Sequence, residues 1–323
     1  DHPASGHFND LIGNMHAKAF QHAVLIGKYS SRISADNAGA ATVSPAALWP
    51  HILQHVARCI AASGVAVSLE SGIAKQTGLD KTYPSLSMDD ISHHCDVAVV
   101  VGGDGTMLSA ARQLAGSALP LIGVNQGRLG FMTDIALDQV DSILPSMLRG
   151  AYSEDVRHLL HAQVLQGDSI VFESLALNDV TINRESTSGM IELRVEVDGH
   201  FVCNQRADGL IVATSTGSTA YALSAGGPLM HPSIAGWVLV PIAPHTLSNR
   251  PIVISQNSCI RIEVVSPRDA TANFDAQTHY APLQPGQCVQ IRRSGQSVRF
   301  LHPLNWNYFD TLREKLHWNK GSA

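Results

Sequence analysis

The chain changes its hydrophobic rhythm near residue 150. Before that point, short unbroken apolar runs alternate with stretches whose apolar residues recur at three- and four-residue intervals. Val97 to Val101 is the clearest run, and four of its five residues are Val. Such a run reads as a strand covered on both faces, as in a parallel sheet. His22 to Lys28 and Val65 to Leu69 read as further strands, and Pro120 to Asn125 as another buried one. Between them, Ser44-Pro45 opens a helical pattern that runs to about Ser63, with Ser at the cap and Pro at the first position. Met88 to His94, Thr106 to Ala115 and Leu137 to Arg149 are further helical stretches, and Tyr29 to Ser44 reads as a loop. Strands alternating with helices predict βαβ units and a parallel sheet.

After about Gly150 the period shortens to two. His161 to Phe172, Ser174 to Asn183, Ile191 to Val197 and Phe201 to Gln205 are predicted strands, with Asp198-Gly199 as a hairpin turn. Pro251 to Val265, Gln287 to Arg293 and Ser297 to Leu301 continue the pattern. One short helix is expected near Ser218 to Ala225 and a last one over Tyr308 to Trp318. This half predicts an antiparallel β domain.

Composition narrows the classes. The 323 residues are 45% hydrophobic and 15% charged, enough for two folded domains. A net charge of -5 argues against a nucleic-acid binder that works by bulk positive charge. No apolar run approaches the length of a membrane-spanning helix, and the first twenty residues show no signal-peptide pattern. Five scattered cysteines, never in C-x-x-C, fit reduced thiols and a cytoplasmic location.

Two stretches concentrate candidate chemistry. The first is GGDGT, Gly102 to Thr106, between the buried run and a helix. Glycines there permit a tight turn, and a helix N-terminus favours anions. Asp104 is the one ionisable side chain in the turn. It is either a helix cap or a group that meets a proton-donating substrate. Neither G-x-G-x-x-G nor G-x-x-x-x-G-K-[ST] occurs at this turn. The second stretch is RADGLIVATSTGSTAYALSAGGP, Arg206 to Pro228, dense in small residues and hydroxyls. Such residues allow close backbone approach and offer polar contacts to ribose, amide or phosphate. Tyr221 offers a face to a base, Asp208 a second carboxylate, and Arg206 a clamp for phosphate or carboxylate. Asn178-Asp179 interrupts an apolar strand as a bulge or a sugar-binding pair. His51 with His55, and His158 with His161, have metal-like spacing but no evident third ligand, so they read as solvated. Arg128 reads as a phosphate contact or a surface residue, and His245 as structural.

Together GGDGT, Asn178-Asp179, DGLIVATSTGSTAY (Asp208 to Tyr221), SAGGP (Ser224 to Pro228) and PHTLSNRPIV (Pro244 to Val253) resemble the NAD kinase family. The resemblance runs in order from about Val24 to the last helix. It implies a Rossmann-like α/β domain over 1–149, a C-terminal antiparallel β-sandwich over 150–300, and a segment 301–323 returning to the first domain. It implies phosphorylation by ATP, with Mg²⁺ or another divalent cation, of the adenosine ribose 2′-hydroxyl of NAD to give NADP. By the same resemblance Asp104 matches the catalytic base, beside Gly105. Asn178, Asp179, Arg206, Asp208, Thr219, Ala220, Tyr221, Ser224 and Gln277 match dinucleotide-binding positions. A homodimer or homotetramer is implied, with no nucleic-acid or membrane partner. Three positions depart from the family's usual pattern: Asp179 where Glu is common, Ser215 where Pro is common, and Gly189 where a basic residue is common.

A ribose hydroxyl is too weak an acid for a carboxylate to deprotonate in advance, so Asp104 would orient it and accept the proton late. A lipid kinase sharing the glycine turn and a non-catalytic dinucleotide sensor are the alternatives.

Overall fold

A computed structural model describes residues 19–28, 45–127, 130–185, 189–246, 248–266, 269–284 and 286–318. The expected loop over Tyr29 to Ser44, the Ser44 cap and Arg128 lie outside them. The chain divides into two compact units, one of residues 1–106, 119–155 and 300–323, the other of 107–118 and 156–299.

The first unit is α/β. Its strands are β1 (His22–Gly27), β2 (Ala66–Glu70), β3 (Ser85–Leu86), β4 (Val97–Gly102), β5 (Leu121–Asn125) and β6 (Ile135–Ala136). They pair in the order β3-β2-β1-β4-β5, with β6 on β5, all parallel. All six residues of β4 are buried, as its unbroken Val run requires. The helices are α1 (Pro45–Ala62), α2 (Ser71–Thr77), α3 (Met88–His94) and α5 (Val140–Leu148), and α4 (Asp104–Gln113) starts here but belongs from Met107 onward to the second unit. α1 buries Leu53, Val56, Ala57 and Ile60 in a core with Leu25, Val99 and Val101. α2 was not anticipated. Its cap comes from Glu70, the last residue of a strand, whose carboxylate accepts the Gly72 and Ile73 N–H groups.

The second unit is a β-sandwich. Its strands in chain order are β7 (Tyr152–Gln166), β8 (Ser169–Ala176), β9 (Asp179–Arg184), β10 (Ile191–Val197), β11 (His200–Ala207), β12 (Gly209–Thr214), β13 (Gly236–Ile242), β14 (Ile252–Ser255), β15 (Ile260–Val264), β16 (Ala270–Phe274), β17 (Thr278–Tyr280) and β18 (Gln287–Pro303). One sheet contains β11-β10-β15-β18 and the β7–β8 hairpin; the other runs β14-β13-β12-β9-β16-β17. Alternating side chains from both, including Leu193, Val195, Val212, Trp237, Ile262, Phe274 and Val289, form one core. The short helix α6 (Tyr221–Ser224) interrupts the unit. The chain then re-enters the first unit, where Phe300 and Leu301 pair with Leu121 and Ile122, and ends in α7 (Tyr308–Lys315).

Several boundaries differ from expectation. The predicted strand over His161 to Phe172 is two strands, because Gly167 at φ 60 turns the chain between them. Pro251 to Val265 likewise splits, with a turn at Ser255 to Ser258. Conversely, β18 runs straight through Ser294-Gly295, where two strands were expected. Gly295 needs no left-handed backbone, so nothing there compels a turn.

Candidate functional site

In the first unit, β4 ends at Gly102 and α4 begins at Asp104, which is half-buried. A Cβ on Gly102 would stand 2.6 Å from the Thr106 hydroxyl, so the turn needs glycine for room. The Asp104 carboxylate does not point freely outward. One oxygen accepts the Phe131 N–H at 2.9 Å and the other the Met132 N–H at 3.0 Å. A carboxylate offers about four lone-pair sites, so roughly two stay open for a substrate. The residue that permits this grip is Gly130, where any Cβ would overlap Asp104 Oδ1 and the Thr133 hydroxyl. The segment Gln126 to Thr133 reads from sequence only as glycine-rich. The clamp that Gly130 to Met132 place on Asp104 is visible only in three dimensions. Gly105, beside Asp104, is exposed.

In the second unit the centre is a carboxylate that sequence reasoning passed over. Asp275 follows β16 and is buried. It accepts the Leu177, Asn178 and Asp179 N–H groups at 2.9, 2.7 and 3.1 Å. The Arg112 guanidinium lies 3.5 Å from it and donates to Gln277 at 2.6 Å. The hydroxyl-rich stretch closes the same cluster. Thr214 N–H donates to the Asn178 carbonyl at 2.9 Å, and its hydroxyl to the Leu177 carbonyl at 2.6 Å. Gly217 packs so closely on the Asn178 backbone that a Cβ would collide with it. Asn178, Asp179, Thr219, Ala220, Tyr221, Ser224 and Gln277 thus belong to connected turns of one unit. Asn178 Oδ1 is buried with no hydrogen-bond partner, and Tyr221 is 43% exposed.

Asp179 is buried, and that burial, then the charge of Asp275, push its carboxyl up to about 7. Burial pushes the Asp275 carboxyl up as well, but the three N–H groups and the Arg112 guanidinium that face it pull in the opposite direction and favour its charged form.

The remaining predicted residues are placed as follows. Most hydroxyls of the second stretch are engaged with backbone: Ser215 donates to the Pro232 carbonyl, Ser218 to that of Ser215 and Thr219 to that of Thr216. They shape the turn first. Asp208 lies just before β12, at the opposite end from Thr214 and roughly 20 Å away at the usual rise per strand residue, and Arg206 lies in β11, paired with Glu192. The register agrees, since Gly209 pairs with Asn183 and Ala213 with Asp179. Asp208 is instead held by Arg184, with contacts of 2.8 and 3.3 Å. The structure therefore does not join Arg206 and Asp208 to the Asn178–Asp275 cluster. His55 and Asp141 form an exposed pair, and His161 pairs with Glu173.

Comparison with known proteins now becomes informative. Residues 51–152 match the ATP-NAD kinase N-terminal domain, and residues 177–303 the ATP-NAD kinase C-terminal domain. An NAD kinase of Paracidovorax citrulli is 57% identical over 94% of this chain and 98% of its own length. The chain belongs to the NAD kinase family. An NAD kinase of Delftia acidovorans is 55% identical over 94% of the chain and 99% of its own. In solved structures, yeast NADH kinase complexed with NADH shares the fold at TM-score 0.78, with 22% identity over 95% of this chain and 90% of that one. An NAD kinase from Archaeoglobus fulgidus in complex with ATP gives 0.67, with 24% identity over 92% and 99%. The N-terminal family domain contains Asp104 and Gly130, and the C-terminal one contains the Asn178–Asp275 cluster. The lipid-kinase alternative is left without support.

Proposed function

We propose that this chain transfers a phosphoryl group from ATP to the adenosine ribose 2′-hydroxyl of NAD, giving NADP and ADP. The hydroxyl oxygen forms the new P–O bond, the bond to the ADP oxygen breaks, and the hydroxyl proton passes to Asp104. The observation that carries this reading is the orientation of the Asp104 carboxylate. Each oxygen is fixed by one backbone N–H, so the remaining lone pairs are aimed before substrate arrives. Phosphoryl transfer depends on positioning and charge neutralisation, and a pre-aimed acceptor suits it. In the second unit, Asn178, Asp179, Tyr221 and Gln277 hold the dinucleotide. The divalent cation enters with the phosphoryl donor, as the cation of the ATP complex, where it screens the phosphate charge. Exposed apolar side chains on β11 (Phe201, Val202) and β14 (Ile252, Val253) support a homodimer or homotetramer, and five free cysteines support a cytoplasmic setting.

Replacing Asp104 by Asn tests the reading. Turnover with NAD, ATP and Mg²⁺ is expected to fall by roughly 10²- to 10⁴-fold while KM for NAD holds. Equal loss of both would make Asp104 a binding residue and remove the proposed proton transfer.

A further inference from the structure

We infer that His302 is a positioning residue for Asp104, acting through the segment Gly130 to Asp134 that grips its carboxylate. The inference rests on the reading of Asp104 given above and extends it to the C-terminal segment.

The geometry is a relay within the first unit. His302, near the end of β18, is buried. Its Nδ1 lies 2.5 Å from Asp134, and its Nε2 lies 3.5 Å from Asp155. Asp134 stands two residues after Met132, whose N–H holds Asp104. The indole of Trp306 stacks on the imidazole, with ring centroids 3.9 Å apart and planes 10° apart. α7 reaches the same segment a second time, where the Lys315 ammonium sits 5.9 Å from the Phe131 ring. Phe131 supplies the other N–H to Asp104. The last part of the chain thus meets the gripping segment at Phe131 and at Asp134, on either side of Met132.

A structural histidine in an apolar core has no need of two carboxylates. Here Asp134 faces it from the segment before β6, Asp155 from β7, and Trp306 covers its face. Burial alone would lower the imidazolium's pKa, but Asp134 and Asp155 more than offset it, and the net direction is upward. The two carboxylates therefore favour the charged form, and that form holds Asp134. When it loses its proton, two acidic side chains remain around a neutral ring, and the pull that seats Asp134 weakens. Because Gly130 to Asp134 is short and closely packed on Asp104, a shift at one end must move the N–H groups at the other. A displacement of about 1 Å near reacting groups can cost 10²-fold in rate. These contacts converge on the Asp104 carboxylate, so the effect is expected in turnover.

The test is steady-state kinetics against pH with saturating MgATP, on wild type, His302→Gln and Asp155→Asn. Wild type is expected to lose kcat on the alkaline side as the imidazolium deprotonates, with KM for NAD constant. His302→Gln is expected to lower kcat by roughly 10- to 100-fold, to hold KM within about twofold and to lose the alkaline limb. Asp155→Asn keeps the Asp134–His302 bond and guards against a His302 variant that fails to fold. With one carboxylate removed, its alkaline limb is expected at lower pH, again in kcat alone. An alkaline limb at the same pH in wild type and Asp155→Asn would overturn the inference, as would a loss shared equally by kcat and KM. Failure of the base reading is separable. Asp104→Asn would then retain turnover, whereas a displaced limb in Asp155→Asn would still tie the 130–134 segment to the rate.

Discussion

Asp104 and Asp275 use one device for different ends. Each is a carboxylate that follows the end of a strand and collects backbone N–H groups from a distant segment. Asp104 collects two and stays half-exposed; Asp275 collects three, adds Arg112, and is buried with a fully covered side chain. Accessibility decides what the device can do. A carboxylate with open lone pairs and fixed direction can take a proton from a substrate. A carboxylate with its acceptor sites filled can only hold the chain, and Asp275 holds the turn that carries Asn178 and Asp179.

The comparison predicts opposite signatures for the two sites. Asp275→Asn is expected to have the largest effect on folding, about 3–5 kcal/mol, because it leaves Arg112 charged and largely buried and replaces one of the two accepting oxygens with an NH₂ that faces N–H donors. Thermal or denaturant unfolding reads this, and KM for NAD should rise as the Asn178-Asp179 turn loosens. Asp104→Asn should lower turnover with little change in unfolding. If Asp275→Asn unfolded at the wild-type midpoint, the buried site would not be the support described. Gly130→Ala comes next. Its methyl group must displace the Asp104 carboxylate or the Thr133 hydroxyl, and overpacking of this kind costs roughly 1–3 kcal/mol. The expected outcome is lost kcat with KM for NAD retained; unchanged kcat would mean the carboxylate does not need its grip.

Asp179 sharpens the contrast through pH. Its pKa is raised from the model-compound value of 3.8 to about 7 by burial and by Asp275. The folded state therefore keeps a proton that the unfolded chain has released across that interval. Stability should fall as pH rises from about 4 to 7, the reverse of an ordinary salt-bridged carboxylate. Unfolding midpoints across this range should show the slope in wild type and a flatter line in Asp179→Asn. Identical slopes would place the proton elsewhere.

Much of the fold was legible because its signals are local. The buried Val run of β4, the period of β10 and the Asp198-Gly199 turn each declare themselves within a few residues. Asp104 was legible for the same reason, as the only ionisable group in a glycine turn. Its clamp was not, because the N–H groups of Phe131 and Met132 come from 27 and 28 residues away. Asp275 hid more completely. FDAQ has the composition of any strand end, and nothing in it announces partners 96 to 98 residues earlier. Sequence proximity was a poor guide to spacing in the other direction: Asp208 is close in sequence to the hydroxyl-rich turn, yet the extended strand β12 separates them.

The smallest effect predicted lies in how the two turns obtain their backbone freedom. The Asp104 turn is built with glycines. The Asp275 turn is not: Asp275 and Ala276 both sit at φ 53. A left-handed conformation costs an L-residue about 1–2 kcal/mol, less for Asp, whose side chain bonds locally. Asp275 cannot be exchanged, since its carboxylate holds three N–H groups. Ala276 is exposed and contributes no core packing, so Ala276→Gly would relieve strain at the expense of a more flexible unfolded chain. The net expectation is a gain of up to about 1 kcal/mol, with turnover unchanged. A lower unfolding midpoint would show that the buried carboxylate, rather than the residue beside it, absorbs the strain. The two turns would then differ in where strain is stored as well as in what their carboxylates do.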